Sequence, residues 1–595
     1  MRATRRPSGW RPASARSWPL SGCRTPTATG QGDTSRRSRK TAGCFAAQTL
    51  PAAMIERGRM RLFWLRVPLR FVFILDKGSP PVAARNALEQ PLTRLAIAAA
   101  AGFIASAGFA PVSLAGAAAV GFIALAYLLT QAKGAAESAL AGWLWGVAYF
   151  SAGLSWTFHS MHVYGGVPAV LAALGVLLLG AALAIFPAGA ALLCALIRAP
   201  RIVSCALVFP ALWVIGEWLR GVAIGGFGWL SLGYAFTEAV FGSWAPVGGV
   251  YTVSAVLVFA GSAMVAFLMV PKERSLTRAG LALWLGALVI GSVALGNVTW
   301  SEPGKRLEVR VVQPDLPLVI AARPGEDARR LMRLAAMSER SAMGGKGLDL
   351  IVWPESVYAQ PLERLVLEAR EPQRIAEKMG ATVLFSAFSE PLKNQFYNAV
   401  WVARPEEAAA RVVYAKRHLV PFGEYVPAGF RWFVDQLGIP MADQQPGEIA
   451  QAPVRVAGVD LALSVCYENM FGEEIRDWWS LSRPGIILNQ SNLGWFSDPA
   501  AVQFTQMNRM RARETARPVL QAMMGGYSAL ILPDGEFDRV VDKGAQNMDL
   551  TVQAYEGEAT PFVRYGNVPL LALMLVFLGL GLASRLLAAR RGLGA

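Results

Sequence analysis

The chain has 595 residues, 54% of them hydrophobic and only 16% charged, with a formal net charge of +16. So apolar a composition excludes an ordinary soluble globular protein and points to a membrane protein. The positive charge is local: residues 1–85 hold 17 Lys/Arg against 3 Asp/Glu, a surplus of 14, which leaves about +2 elsewhere and no basic groove for a nucleic acid.

The first 60 residues are rich in Arg, Ser, Pro, Thr and Gly and lack hydrophobic periodicity. They read as a basic cytoplasmic tail or as a disordered extension, with Met54 or Met60 as alternative starts. RLFWLRVPLRFVFIL (61–75) is amphipathic and broken by arginines, so it is expected to lie on a membrane rather than cross it. No small-residue cleavage site follows it closely.

A spanning helix needs about 20 apolar residues. Residues 95–132 carry no charge and are interrupted by FAPVS near Pro111, which predicts a hairpin of two spans. Further spans are predicted at 138–158, 163–197, about 202–219, 244–270, 279–299 and 565–584, eight in all. Lys133, Arg198, Arg201, Lys272, Arg274 and Arg278 fall in loops on one side by parity, together with both termini. The positive-inside rule puts that side in the cytoplasm and the segment 300–563 outside. The organisation expected is a basic extension (1–85), a seven-helix bundle (90–300), an extracytoplasmic domain (301–563), and a last helix with a basic tail (564–595).

The outer segment alternates strands with helices. RLEVRVVQ (306–313), LDLIVWPES (348–356), TVLFSAF (382–388), NAVWVA (398–403), RVVYAKRHLV (411–420), VDLALSVCYE and GIILNQSN (485–492) read as strands, and 325–342, 361–379 and 500–516 as helices. That pattern predicts a layered α/β domain with reactive groups where strands end. Three such ends carry Glu355, Lys416 and Cys466. Cys466 is the only cysteine after residue 205. It reads equally as a buried apolar residue closing a strand or as a nucleophile. A thiol nucleophile needs a base or a nearby cation, and Glu355 and Lys416 are of those types. With three His in the chain, one of them (His418) in this domain, a zinc site is not expected.

WPES (353–356), YAKRHLVPFGEYVP (414–427) and VCYEN (465–469), in that order after seven spans and before a last one, resemble the apolipoprotein N-acyltransferase family, the membrane branch of the nitrilase superfamily. The resemblance runs from about residue 90 to the C-terminus and includes EWLRG (217–221) and GGFGWLSLGY (225–234). It implies an α-β-β-α sandwich on the outer face of a helical bundle in the bacterial inner membrane, with the catalytic domain on the periplasmic face. It implies Glu355 as general base, Lys416 as stabiliser of the oxyanion, and Cys466 as the acyl-accepting nucleophile. Glu424 and Glu468 would support the site, and the Tyr467 backbone N–H would complete an oxyanion hole. The implied reaction moves the sn-1 acyl chain of a phospholipid, commonly phosphatidylethanolamine, through a Cys466 thioester. The acceptor is the α-amine of the S-diacylglyceryl cysteine that begins an apolipoprotein. No cofactor is implied, and a monomer suffices.

The aromatic loops FRWFVDQLGIPM (430–441) and GWF (494–496) read either as lids over acyl chains, with Trp495 and Phe496 touching lipid, or as sandwich core. Glu217 and Arg220, at the outer end of the fifth span, read as a headgroup site or as a stabilising pair. The chain departs from the family where VQPDLPLVIAARPGE lacks the usual Lys-Trp pair, where SNLGWF lacks an acidic residue after Asn492, at Gly228 in place of Pro, and in QAMMGGYSAL, which lacks Asn-Gly. A membrane-anchored nitrilase-like amidase and a catalytically inactive paralogue are the alternatives. A transporter or scaffold fits less well, since the spans hold few charges and no pair of broken helices.

Overall fold

The computed structural model describes residues 89–318, 325–342, 345–429, 431–432 and 443–590. The basic extension, the amphipathic stretch at 61–75, most of the loop at 430–441 and the last five residues lie outside the described residues.

The apolar segments fold into α1 (Pro91–Ser106), α2 (Ala115–Gln131), α3 (Ala135–Gly153), α4 (Ala169–Leu183), α5 (Ile185–Ile197), α6 (Phe209–Val222), α7 (Ala245–Met269) and α8 (Ser275–Leu295). Among the described residues five helical runs are long and apolar enough to cross a membrane: Ala169–Ile197, Arg201–Gly225, Val240–Met269, Ser275–Leu295 and Val568–Arg590. α1 and α2 are shorter apolar helices joined through the turn at Pro111.

Within lipid, helices gain little from hydrophobicity and associate through close backbone approach and polar pairs. Both devices join α1 to α3. A Cβ added at Gly102 would sit 2.0 Å from the Trp145 carbonyl oxygen, and Arg94 pairs with Glu137 at 2.5 Å. Trp145 then packs on Tyr149 and Trp213, with ring centroids 4.6 and 5.2 Å away.

The spans predicted at about 202–219 and 244–270 leave 220–243 as a connecting loop, and the structure packs much of it into the interior, with Trp229, Leu230, Leu232, Tyr234 and Phe236 all buried. An irregular segment can be buried only if its backbone polar groups find partners. Glu217 Oε1 accepts the Leu232 N–H at 2.9 Å and Ser254 Oγ accepts the Gly233 N–H at 2.8 Å. Arg220 donates to the carbonyls of Phe227 and Trp229 at 2.5 and 2.6 Å, and Tyr149 donates to that of Leu230 at 2.7 Å. Glu217 and Arg220 are both buried in this task. Each satisfies backbone groups of the returning segment, Glu217 through Leu232 and Arg220 through Phe227 and Trp229.

The polar stretch forms β1 (Glu302–Gln313), α9 (Glu326–Ser338), β2 (Leu350–Val352), α10 (Glu371–Met379), β3 (Thr382–Ser389), β4 (Tyr397–Ala403), β5 (Arg411–Ala415), β6 (Val454–Val456), β7 (Val459–Val465), β8 (Ile486–Asn492), α11 (Asp498–Thr515), β9 (Val519–Met524), β10 (Ala529–Ile531), β11 (Phe537–Val540) and β12 (Gln546–Glu556). α12 (Val568–Arg590) follows. The strands make two six-stranded sheets, ordered β12-β1-β2-β3-β4-β5 and β11-β10-β9-β8-β7-β6. Each has a parallel centre, β1-β2-β3 in one and β7-β8-β9 in the other, with antiparallel flanks.

Period-2 alternation explains the layering. Leu307, Val309, Val311 and Leu384 join the large core shared with the second sheet and the bundle. Val312, Val383, Phe385 and Trp401 join the separate core under α9 and α10. α11 packs on β9 and β10 of the other sheet.

Several elements are shorter than their sequence patterns suggest. The strand expected over 348–356 ends at Val352, so Trp353 to Ser356 leave the sheet edge as a loop. The helix expected over 361–379 begins at Glu371, where Pro372 suits a helix start and not a helix interior.

Candidate active site

Cys466 directly follows β7 and opens a tight turn, Cys466–Met470, with a positive φ of 50°. A side chain other than Gly rarely adopts that conformation, and it persists only where the surroundings fix it. Here the fixing group is Glu468. Its Oε2 accepts the Val465 N–H at 2.7 Å, while Oε1 accepts the Tyr414 hydroxyl at 2.8 Å and the backbone N–H groups of Arg417 and His418 at 2.7 and 3.1 Å. One carboxylate thus ties the turn after β7 to the loop after β5, and those two segments carry Cys466 and Lys416. Burial raises the Glu468 carboxyl above its usual range, opposed mainly by the Val465 N–H.

Lys416 is 1% exposed and Glu355 is 4% exposed. Lys416 Nζ lies 2.8 Å from Glu424 Oε1 and 3.9 Å from Glu355 Oε1. Asn398 Nδ2 bridges the two carboxylates, donating to Glu355 at 2.7 Å and to Glu424 at 3.2 Å. The Asn492 N–H, at the end of β8, donates to Glu355 Oε2 at 2.7 Å. The Val420 N–H holds the second oxygen of Glu424 at 2.8 Å. Every oxygen of the two acids is therefore oriented, and the ammonium sits between them.

Charge and burial work against each other in this cluster. Burial raises the Glu355 carboxyl above the usual range, only partly offset by Lys416. Burial alone would lower Lys416, but Glu424 and Glu355 outweigh it and lift the group further, so it stays cationic. The Cys466 thiol is raised well above its ordinary value by burial and by the facing Glu355 charge, against the pull of Lys416. The resting site holds a neutral thiol, a fixed cation and a carboxylate with heightened proton affinity. It can deprotonate a nucleophile as it attacks and steady the resulting oxyanion.

The site rests directly on the bundle. The Tyr467 hydroxyl donates to the Gly226 carbonyl at 3.0 Å. His418 Nε2 donates to the Gly225 carbonyl at 2.7 Å, and its ring stacks on Phe471 with centroids 3.5 Å apart. Gly226 has a φ of 69°, and a Cβ there would meet the Gly221 carbonyl oxygen at 2.2 Å, so the turn that receives both contacts admits only glycine at that position.

The structure thus brings Glu355, Lys416, Cys466, Glu424, Glu468 and Tyr467 together. Phe496 packs edge-on against Trp156 at 5.0 Å. Trp495 is 37% exposed, packs on Tyr164, and its carbonyl accepts the Ser160 hydroxyl at 2.8 Å. Of the loop at 430–441, only Arg431 and Trp432 are described, and Trp432 is exposed. Asn398 and the Asn492 N–H were not singled out by sequence reasoning. Asn398 is the second residue of β4 and Asn492 the last of β8, polar positions at the ends of apolar strands, which is the signal that could have marked them. Among the described residues no cluster of His, Cys, Asp or Glu is placed to hold a metal ion.

Residues 101–263 match the model of the apolipoprotein N-acyltransferase N-terminal domain, and residues 308–552 match that of carbon-nitrogen hydrolase. The apolipoprotein N-acyltransferase of Ralstonia nicotianae is 36% identical over 527 residues, covering 84% of this chain and 96% of its own length. That of Bordetella bronchiseptica is 36% identical over 538 residues, 83% and 96% of the two chains. That of Nitrosomonas europaea is 33% identical over 518 residues, 84% and 98% of the two chains. With both domains matched and relatives aligned along nearly their whole length, this chain belongs to the apolipoprotein N-acyltransferase family.

Proposed function

We propose that the protein acylates the N-terminal S-diacylglyceryl cysteine of apolipoproteins, with a membrane phospholipid as acyl donor. The observation that carries this reading is the convergence of a buried carboxylate, ammonium and thiol on strand ends that are themselves bonded to the end of a helical bundle.

The Cys466 sulfur attacks the sn-1 ester carbonyl while its proton passes to Glu355. Lys416 Nζ and the Tyr467 backbone N–H, near the start of a tight turn and so outside its internal bonding, receive the oxyanion. Collapse of the tetrahedral intermediate breaks the C–O bond. Glu355 returns the proton to the leaving alkoxide, giving a lysophospholipid and a Cys466 thioester. In the second half the α-amine attacks the thioester, Glu355 takes the proton from the nitrogen, the C–S bond breaks as the amide forms, and Glu355 returns that proton to the leaving thiolate, restoring the neutral thiol. Lys416 keeps its charge through both halves, since Glu424, 2.8 Å away and outside the proton transfer, holds its proton.

On this reading the apolar helices make eight crossings of the bacterial inner membrane. Lys133, Arg198, Arg201, Lys272, Arg274 and Arg278 face the cytoplasm, and the sandwich sits on the periplasmic face. Both substrates are lipids, so a site seated on the bundle end lets them react without leaving the bilayer. Phosphatidylethanolamine is the donor assigned, and a single chain carries the whole site.

The test is to incubate the detergent-purified protein with phosphatidylethanolamine and take the mass of the peptide bearing Cys466. An added fatty acyl group, removed by hydroxylamine and discharged by a diacylated lipopeptide, is expected. An unmodified thiol in folded protein would refute the reading.

A further inference from the structure

Gln503, on α11, is a buried side chain whose hydrogen-bonding capacity is spent entirely across the boundary between sandwich and bundle. Its Oε1 accepts the indole N–H of Trp229 at 2.7 Å and that of Trp156 at 3.1 Å. Its Nε2 donates to the Ala110 carbonyl at 2.9 Å and the Gly153 carbonyl at 3.2 Å. A glutamine amide has two donors and an oxygen with two lone pairs, so nothing is left over. The partners come from separate parts of the bundle: the α1–α2 turn, the end of α3, the segment after it, and the buried stretch after α6.

The other side of α11 holds the nucleophile's turn. Asn469, three residues past Cys466, donates to the Phe504 carbonyl at 3.2 Å and to Asn508 Oδ1 at 3.1 Å. Asn508 donates to Asn489 Oδ1 at 3.2 Å, and Asn489 donates to the Ser464 hydroxyl at 3.0 Å. The loop that leads into α11 starts at Asn492, whose N–H holds Glu355. Its Phe496 packs on Trp156, one of the two indoles that Gln503 accepts from. α11 therefore links the bundle to the turn of Cys466 and to the strand end that holds Glu355, beside the direct contacts of Tyr467 and His418.

We propose that Gln503 is a positioning residue that sets the register of Cys466 and Glu355 over the bundle, where the lipid ester must arrive. This rests on the reading of Cys466 as the nucleophile. A thiol displaced by about 1 Å from a membrane-held ester reacts some 10²-fold more slowly, though its intrinsic reactivity is unchanged. Gln503→Leu removes all four bonds with nearly the same volume, so it loosens register without opening a large cavity.

The full-length protein in nanodiscs is assayed in two ways. One is kcat/KM for acyl transfer from phosphatidylethanolamine to a diacylated lipopeptide. The other is the rate of Cys466 alkylation by iodoacetamide, read as the mass of the Cys466 peptide. The expected result for Gln503→Leu is a fall of at least 10-fold in the first and less than 2-fold in the second. Gln503→Glu keeps the acceptor for both indoles and loses the two donors, and should fall between. An equal fall in both rates would show that Gln503 only maintains the sandwich, and an unchanged lipid rate would show that it sets nothing; either overturns the proposal. If Gln503→Leu does not accumulate, Trp156→Phe/Trp229→Phe removes the two indole donors and is judged by the same ratio. Cys466→Ala is run beside them: if it still transfers acyl groups, the nucleophile reading fails instead.

Discussion

Glu468→Gln changes one oxygen to an amide nitrogen and tests whether this carboxylate holds the nucleophile's turn. The wild-type group accepts from Val465, Tyr414, Arg417 and His418. A glutamine best keeps its oxygen toward the latter three and turns its NH₂ against the Val465 N–H, so two donors face each other in a buried place. The loss is one charge-assisted bond, about 2 kcal/mol, plus an unsatisfied buried donor at about 1–3 kcal/mol. Burial already disfavours the Glu468 anion, and the neutral amide recovers part of that cost. The net is about 3 kcal/mol, concentrated on the turn that keeps Cys466 at positive φ. If that penalty falls on the reactive geometry, thioester formation slows about 10²-fold, at roughly 1.4 kcal/mol per decade. The assay is single-turnover acylation from phosphatidylethanolamine, quenched and read as the mass of the Cys466 peptide. Tyr414→Phe removes one of the donors and should cost about 1 kcal/mol, or about fivefold. A Glu468→Gln rate within threefold of wild type would refute the assignment of the turn to this carboxylate.

Lys416→Met leaves Glu355 and Glu424 facing each other without a cation, so acylation should fall at least about 10³-fold and thermal stability by about 3–5 kcal/mol, measured by single turnover and by thermal unfolding. Burial raises the Glu355 carboxyl, so the acid limb of the acylation rate should lie above the ordinary glutamate range, with activity rising as pH rises through it. Asn398→Ala removes a hydrogen bond that lowers this group and should move the limb to still higher pH. Glu514, buried against the Val250 N–H and Arg511, is pushed up to about 7 by burial. A carboxyl raised on folding stabilises most below its unfolded value and loses that contribution as pH rises, here between about 4.5 and about 7, worth about 3 kcal/mol. The difference in unfolding temperature between wild type and Glu514→Gln should track that window, and a pH-independent difference would contradict it. Gly226→Ala forces a Cβ to 2.2 Å from the Gly221 carbonyl at a positive φ, so the Tyr467 contact should break and lipid-dependent acylation should drop about tenfold or more, since small misplacements near a reacting centre are costly.

Most of the helices and the three catalytic candidates were legible in the sequence because their signals are local. Charge-free runs mark apolar helices, and Glu355, Lys416 and Cys466 stand at the ends of hydrophobic runs within long motifs. What the sequence hid depends on partners distant along the chain. The segment after α6 looks like a loop, since nothing local reveals that Glu217, Ser254, Arg220 and Tyr149 satisfy its backbone. The strands β9 to β12 were not anticipated, and β12 closes the first sheet by pairing with β1 over the register Glu302↔Glu556 to Gln313↔Gln546. Pairing at that separation leaves no periodic signature beyond an ordinary apolar alternation. Gln503 was invisible for the same reason: in sequence it is one of many polar residues in a helix, and its four partners lie more than 200 positions away.

The clasps to the bundle fall close to the proposed catalytic groups. His418 lies two residues past Lys416 and reaches Gly225; Tyr467 follows Cys466 and reaches Gly226. Glu355 is held by Asn492, at the head of the loop into the helix that carries Gln503. Docking and chemistry are therefore fixed by the same short segments, so neither can drift without the other. AKRH and VCYE thus carry a second task beside their reactive residue, since His418 and Tyr467 reach the bundle. It also predicts where variation is tolerated. Exposed positions on the far face of the first sheet, such as Arg374 and Lys378, pair only with other surface charges. Such pairs contribute little in water, so their replacement should leave acyl transfer unchanged. Substitutions at Gly225 and Gly226, inside the bundle's own turn, should register directly at the thiol.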